Sequence, residues 1–198
     1  ITYDISLELM KRAENSDRNT IVDILVKSFA DNKSVNYIIK QDHKRDLRLR
    51  RLMEYSHDVC KLFGDVFISD DKAGCALIVK PDMKKTSLSS VLLDAKFVVG
   101  CLGLSNLKKA MSREAKIKSQ HPEGYLYYLW FIGVDPDKQH KGIGSQLLNE
   151  VIAEGRKESR TICLETSTQK NIPWYQSFGF KIYNEMDFGY KLFCLKKE

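Results

Sequence analysis

The chain has 198 residues, 43% hydrophobic and 29% charged, with 32 basic against 26 acidic side chains for a net charge of +6. That length supports one full hydrophobic core and is short for two ordinary domains, so a single domain over residues 1–198 is expected. No apolar run approaches the ~20 residues of a membrane span, and no basic-then-apolar leader pattern opens the chain, so a cytoplasmic protein with no membrane partner is expected. The five cysteines are scattered, odd in number and form no C-x-x-C pair, and the four histidines show no ligand spacing, which argues against disulfides and against a metal site. The densest basic cluster, residues 44–51, alternates with leucines and reads as the solvated face of a helix. With no nucleic-acid-binding spacing anywhere, an anionic small ligand is a better use of the surplus charge than nucleic acid.

Residues 1–13 read as a short strand or lead-in. Ile21, Ile24, Leu25 and Phe29 fall on one face of a helix over residues 20–29. A longer amphipathic helix follows over 42–63 and ends at Gly64. Residues 65–69 and 74–79 form a hairpin around the turn 70–73. Residues 84–120 carry helical periodicity over 88–99 and 104–117, broken near Gly100 and Gly103. This helical insertion reads either as packing over one sheet face or as a lid that shapes a pocket. Residues 125–134 are too apolar for a surface strand and read as a central one. A helix over 145–158, a strand over 161–167, a short helix over 172–178 and closing strands over 180–183 and 190–195 complete an α/β fold with mixed strand directions.

The most informative segment is Val134-Asp135-Pro136-Asp137-Lys138-Gln139-His140-Lys141-Gly142-Ile143-Gly144-Ser145. A central strand runs into a Gln-x-x-Gly-x-Gly loop and then a helix. Gly142 and Gly144 allow close backbone approach, and the first helical turn leaves N–H groups unpaired at the positive end of the dipole. That combination suits a phosphate or pyrophosphate. A dinucleotide fingerprint would need a third glycine where Leu147 stands, and a Walker loop would need Gly-Lys-Ser/Thr, whereas Lys141 precedes the glycine. Downstream stand Leu164-Glu165-Thr166-Ser167 and Asn171-x-Pro173-x-Tyr175-x-x-x-Gly179-Phe180.

Both segments, in this order and spacing, resemble the GNAT superfamily of acyl-CoA N-acyltransferases. The second is similar to the puromycin N-acetyltransferase type. The resemblance covers about residues 125–198 and implies a GNAT-like domain with a mixed, mostly antiparallel sheet flanked by helices. It implies acetyl-CoA as co-substrate, bound by Ile132, Gly133, Val134, Gln139, His140, Lys141, Gly142, Ile143, Gly144, Ser145, Asn171 and Tyr175. His140 departs from the family, which places Gly or a small residue there. Lys138 and Lys170 are candidate partners for the 3′-phosphate.

N-acetylation poses two proton problems. An amine like that of Lys, with a pKa near ~10.4, arrives as ammonium and must lose a proton before attack. The departing thiolate must gain one, and the oxyanion between the two steps needs a fixed donor. By resemblance, Tyr175 is the proton donor to the CoA sulfur, and Asn171 bonds the pantetheine arm or caps the short helix. The base is open between Glu165, Glu123 and a water relay. In the strand 161–167, Cys163, Glu165 and Ser167 share one face and Ile162, Leu164 and Thr166 the other, so Glu165 is either a base near the strand end or a structural carboxylate held by donors. Tyr125, Tyr127, Tyr128, Trp130, Phe131 and Trp174 fill a core or face an aromatic acceptor. The expected activity is direct acetyl transfer in a ternary complex to a primary amine of a small molecule, by a monomer or homodimer. The alternatives are a protein Lys or N-terminal acetyltransferase and a non-catalytic CoA-binding module.

Overall fold

The computed structural model describes residues 10–198. In chain order these form β1 (Met10–Arg12), α1 (Arg18–Phe29), α2 (Lys33–Ile38), α3 (Arg45–Phe63), β2 (Gly64–Ser69), β3 (Gly74–Val79), α4 (Leu88–Phe97) and α5 (Gly103–Lys118). The second half adds β4 (Leu126–Val134), α6 (Ile143–Lys157), β5 (Thr161–Thr166), α7 (Ile172–Ser177), β6 (Lys181–Asp187) and β7 (Lys191–Lys197). The strands make one seven-stranded sheet in the order β1-β2-β3-β4-β5-β7-β6. Every neighbouring pair is antiparallel except β4 and β5. The expected mixed, mostly antiparallel sheet with β4 at its centre is what forms. Of the expected lead-in, only β1 falls within the described residues.

Two apolar layers sandwich the sheet. On one face Ile143, Leu147, Leu148 and Val151 of α6, with Ile172 and Tyr175 of α7, pack on Ile78, Tyr127, Leu129, Ile162, Leu164 and Phe193. On the other, Ile21 and Leu25 of α1 and Leu49, Leu52 and Met53 of α3 pack on Val66, Ile68, Cys75, Leu77 and Phe131. The alternation of the strands decides which side chain meets which helix layer. In β4 that alternation is interrupted. The pairing with β3 passes from Leu77–Phe131 to Ile78–Leu129 and skips Trp130, a bulge that turns Trp130 and Phe131 toward the same layer.

Three details differ from the sequence reading. A short helix, α2, precedes α3, and Asn32 starts it by accepting a hydrogen bond from the Val35 N–H at 3.1 Å. The run is too short for its period to stand out. The arginines of residues 44–51 are engaged rather than simply solvated. Arg45 donates to the Ala30 carbonyl and to Asn36, Arg48 pairs with Asp42 at 2.9 Å, and Arg50 pairs with Asp23. The bulge of β4 at Trp130 has no counterpart in the sequence reading. Gly133 allows α1 to approach closely, because a Cβ there would meet Ser28 Oγ at 3.2 Å and Leu25 Cδ2 at 3.3 Å.

The helical insertion packs on the face opposite α6. Phe97 stacks on Tyr55 of α3 with centroids 4.2 Å apart, and the Tyr55 hydroxyl donates to Asp94 at 2.7 Å. Ile117 of α5 packs with Met186, Leu192 and Cys194 under β6 and β7. All five cysteines are buried free thiols. No helix among the described residues is long and apolar enough to cross a membrane.

Candidate active site

The parallel pairing of β4 with β5 covers only Leu126–Thr161, Tyr127–Ile162 and Tyr128–Cys163. Beyond those pairs β4 continues to Val134 and β5 to Thr166 without touching, so the sheet splits open along one seam. The backbone groups of β4 that face β5 in that split lack a strand partner, and an extended ligand with amide groups is what satisfies such an edge. A cavity of about 1020 Å³ occupies the split and runs over the loop that follows β4. Ile132, Gly133, Val134, Gln139, His140, Gly142, Ile143, Gly144, Ser145, Asn171 and Tyr175 all line it. Of the expected cofactor residues, only Lys141 is absent from the wall. Lys138 and Lys170 are present there.

Gly142 is the N-cap of α6, with φ +82°, and no side chain caps the helix. The N–H groups of Ile143, Gly144 and Ser145 therefore lack intrahelical acceptors and point out of the helix start. A Cβ on Gly142 would meet nothing within 4 Å, so the glycine is required by its left-handed backbone and not by packing within the chain. His140 also adopts a left-handed conformation, φ +63°, which is the physical reason a glycine suits that position. Lys27, Lys33, Lys138, Lys170 and Lys191 line the cavity against one acid, Asp31. Lys27 is held by Asp135 at 2.8 Å and Lys191 lies 3.9 Å from Glu185, while Lys33, Lys138 and Lys170 leave a positive wall that suits an anionic ligand.

Tyr175 enters from α7 with its side chain packed between Trp174, centroid distance 4.7 Å, and Phe180, 5.9 Å. It is 6% exposed, and its hydroxyl makes no hydrogen bond to a described residue. Burial pushes its phenol pKa well above the ordinary value, so it is a protonated donor at neutral pH. The Trp174 indole N–H donates to Ser145 Oγ at 3.2 Å and ties α7 to the start of α6. Asn171 occupies the N-cap of α7 but makes no capping bond with its side chain, which leaves the amide free on the cavity wall.

Glu165 lies elsewhere. Its strand face is opposite to that of Tyr175, and it is not part of the cavity wall. It is a carboxylate with partners: the Tyr128 hydroxyl donates to Oε2, and His121 Nε2 lies 3.2 Å from Oε1. Ser167, two residues further along the same face, does line the cavity, beside Asn32 at 3.4 Å. Glu123 is exposed and outside the cavity. The aromatic group splits up. Tyr127 is fully buried and donates to Asp65 at 2.9 Å, Trp130 and Phe131 pack on the α1–α3 layer, and Tyr125 is exposed beneath Arg160. Asp31, Asn32 and Lys33 around the start of α2, and Lys191 and Phe193 of β7, were not singled out from the sequence, and Phe29 at the end of α1 was read only as a core position. No described residue of the insertion lines this cavity, so its lid reading finds no support and its packing reading does.

Residues 91–182 match the family described as the acetyltransferase (GNAT) domain. The matched span holds the glycine loop 139–145, Glu165, Asn171 and Tyr175, and begins further toward the N-terminus than residue 125. Solved structures share the fold over nearly the whole chain. Histone acetyltransferase HPA2 and related acetyltransferase from Corynebacterium glutamicum superposes with a TM-score of 0.72 at 22% identity, covering 95% of this chain and 94% of that one. A Drosophila melanogaster polyamine N-acetyltransferase that forms N-acetylagmatine gives 0.63 at 10% identity, covering 96% and 98%. Arabidopsis thaliana Naa50, in complex with the bisubstrate analogue CoA-Ac-MVNAL, gives 0.50 at 14%, covering 96% and 97%.

Proposed function

We propose that the protein transfers the acetyl group of acetyl-CoA to a primary amine of a small molecule, by direct attack in a ternary complex. The observation that carries this reading is the coincidence of three features in one cavity: the split between β4 and β5, the uncapped start of α6, and the Tyr175 phenol. The diphosphate of CoA sits on the N–H groups of Ile143, Gly144 and Ser145, with Gln139, His140 and the flank of Lys141 around it. Lys138 and Lys170 meet the 3′-phosphate. The pantetheine arm lies along Ile132–Val134, pairs with that free strand edge and reaches Asn171. A backbone N–H of this edge polarises the thioester carbonyl.

The amine attacks the thioester carbon, and the tetrahedral intermediate expels the CoA thiolate, which takes the proton of Tyr175. Glu165 accepts the proton lost by the ammonium through water, since it is not itself part of the cavity wall. The amine enters from the end lined by Phe29, Asn32, Ser167 and Phe193. The Leu164–Ser167 and Asn171–Tyr175 segments keep their likeness to the puromycin N-acetyltransferase type, and the polyamine enzyme among the structural neighbours acts on a small amine; both favour a small acceptor.

The test has two steps. Millimolar CoA raises the melting temperature in a concentration-dependent way, because a ligand that binds only the native state stabilises it. Gly142→Val removes that response, because a β-branched residue resists positive φ and its side chain projects into the cavity. Release of free thiol from acetyl-CoA is then screened over a panel of amines. An intact protein with no CoA response would sink the cofactor assignment.

A further inference from the structure

Among the described residues the half-buried arginines are Arg18, Arg45, Arg48, Arg50, Arg113 and Arg160. All but Arg113 pair with a carboxylate, in turn Asp58, Asp46, Asp42, Asp23 and, for Arg160, Asp82 with Glu158. Arg113 of α5 has neutral partners instead. Its Nε–H donates to the Tyr190 hydroxyl at 2.9 Å, one Nη2–H donates to Ser34 Oγ at 2.5 Å, and its guanidinium carbon lies 5.6 Å from the centre of the Phe188 ring. A guanidinium has about five N–H donors, so most of its capacity is unused by described residues. A cation held half out of water without a counter-charge is a binding position for an anion, which it meets through charge-assisted, paired hydrogen bonds.

The charges around Arg113 have the same sign. Lys109 stands over the Tyr37 ring at 3.7 Å and Lys116 over Phe188 at 5.2 Å, while Tyr37 packs on Tyr190 at 5.3 Å and on Phe188 at 6.0 Å. These aromatic rings join α2 and α5 to the β6–β7 hairpin. The nearby acids are engaged: Glu114 lies 3.5 Å from Lys118, Asp187 accepts from the Gly189 N–H at 2.7 Å, and Glu185 lies 3.9 Å from Lys191. The position matters as much as the charge. Ser34 follows Lys33 and Tyr190 precedes Lys191, and both lysines are on the cavity wall. Arg113 therefore bridges, from behind, the two elements that frame the cavity near Phe29, Asn32 and Ser167. The cofactor does not supply the missing anion, because the start of α6 that suits its diphosphate packs on the opposite face of the sheet from α5.

We propose that the acceptor amine carries an anionic group, a carboxylate or a phosphate, which Arg113 binds at the mouth of the cavity with Lys33 beside it. The inference rests on the acetyltransferase reading given above and narrows its acceptor from any small primary amine to a zwitterionic one. The amino end passes between β4 and β5 to the thioester, and the anionic end stays at the rim against the guanidinium. A diamine entering the same way brings a second ammonium against Arg113, Lys33, Lys109 and Lys116 and is repelled.

The experiment compares three amines of one chain length, δ-aminovalerate, n-pentylamine and cadaverine, whose far ends are an anion, a methyl group and an ammonium. Phosphoethanolamine against ethanolamine asks the same of a phosphate. Thiol release from acetyl-CoA gives kcat/KM for each amine. Binding is read separately, as the melting shift that each amine adds in the presence of CoA, which needs no turnover. The wild-type protein is expected to prefer the better anionic amine to its neutral match by about tenfold or more, the yield of one charge-assisted hydrogen bond, with cadaverine weakest and the gap narrowed by salt. Arg113→Gln keeps an N–H for the two hydroxyls and removes the charge. It is expected to raise KM for the anionic amine about tenfold, with kcat, the CoA-dependent melting shift and the kinetics of n-pentylamine unchanged. Lys33→Glu, on an exposed side chain, is expected to cut the preference for δ-aminovalerate over cadaverine. Equal kcat/KM across the three charges, or a loss in Arg113→Gln that is the same for every amine, would overturn the anion site and leave acetyl transfer standing. A melting shift specific to the anionic amines, with no thiol release from any amine, would support the site and overturn acetyl transfer. Neither a preference in binding nor any release would overturn both.

Discussion

Tyr175→Phe separates the chemical role of the phenol from its structural one. The aromatic ring is packed between Trp174 and Phe180, and the substitution keeps those contacts. The hydroxyl has no hydrogen-bond partner among the described residues, so its removal leaves no orphaned donor or acceptor behind. The stability change is therefore expected to stay within about 0.5 kcal/mol, as for substitutions that disturb no buried partner. In a chain of this length that is a melting shift below about 2 °C. If the phenol protonates the departing thiolate, the acetyl-transfer step slows by about 10²–10⁴-fold, or about 2.7–5.5 kcal/mol of barrier. CoA affinity changes little, because the proton is needed only as the C–S bond breaks. The assay is single-turnover acetyl transfer at saturating acetyl-CoA, beside a CoA titration of both proteins. Donors with a more acidic thiol should narrow the gap, since their leaving group depends less on the proton. The direction of the pKa shift adds a second check. Burial raises the phenol above its ordinary value, and the acid works in its protonated form, so kcat should not fall between pH 8 and about 10 on account of Tyr175. Unchanged turnover in the Phe variant would refute the assignment, and so would an equal loss in CoA binding.

Two further outcomes follow from strain and charge. His140→Gly relieves a left-handed conformation at φ +63° that costs a non-glycine residue about 1–2 kcal/mol, against about 0.5–1 kcal/mol of extra chain entropy for glycine. The melting temperature should rise by up to about 4 °C with CoA binding retained, and a fall would show that the His140 side chain makes a compensating contact. At Asp58, burial pushes the carboxyl pKa up, but hydrogen bonds from His57 and Arg18 outweigh it and hold the value at about 2, below the ordinary 3.8. A depressed folded pKa stabilises the protein above about pH 4 and loses that contribution as pH falls toward 2. Urea midpoints of Asp58→Asn should therefore lie below wild type at pH 7 and converge with it at the acid end; a constant gap would contradict the coupling.

What the sequence determined by itself is whatever depends on near neighbours in the chain. The 3.6-residue period of α1, α3 and α6, the alternation that puts Glu165 with Cys163 and Ser167, and the strand–glycine–helix order around Gly142 are all local constraints. The demand for backbone donors at a helix start is local too, so the glycine loop, Asn171 and Tyr175 could be singled out from the sequence, and the fold brings them to one cavity. Tertiary structure alone decided the rest. A period says which residues share a face, but not which helix layer covers it, so the placement of Tyr175 and Glu165 on opposite faces emerged only with the packed sheet. The arginines of residues 44–51 read as a solvated stripe because their partners, Asp23, the Ala30 carbonyl and Asp42, lie outside the run. The splitting of β4 from β5 depends on where parallel pairing stops, and the bulge at Trp130 on how β3 meets β4, and neither leaves a mark in composition. His121 is a single histidine in a polar turn until the chain closes and sets it against a carboxylate from β5, a contact made by the burial of the insertion and by no periodicity.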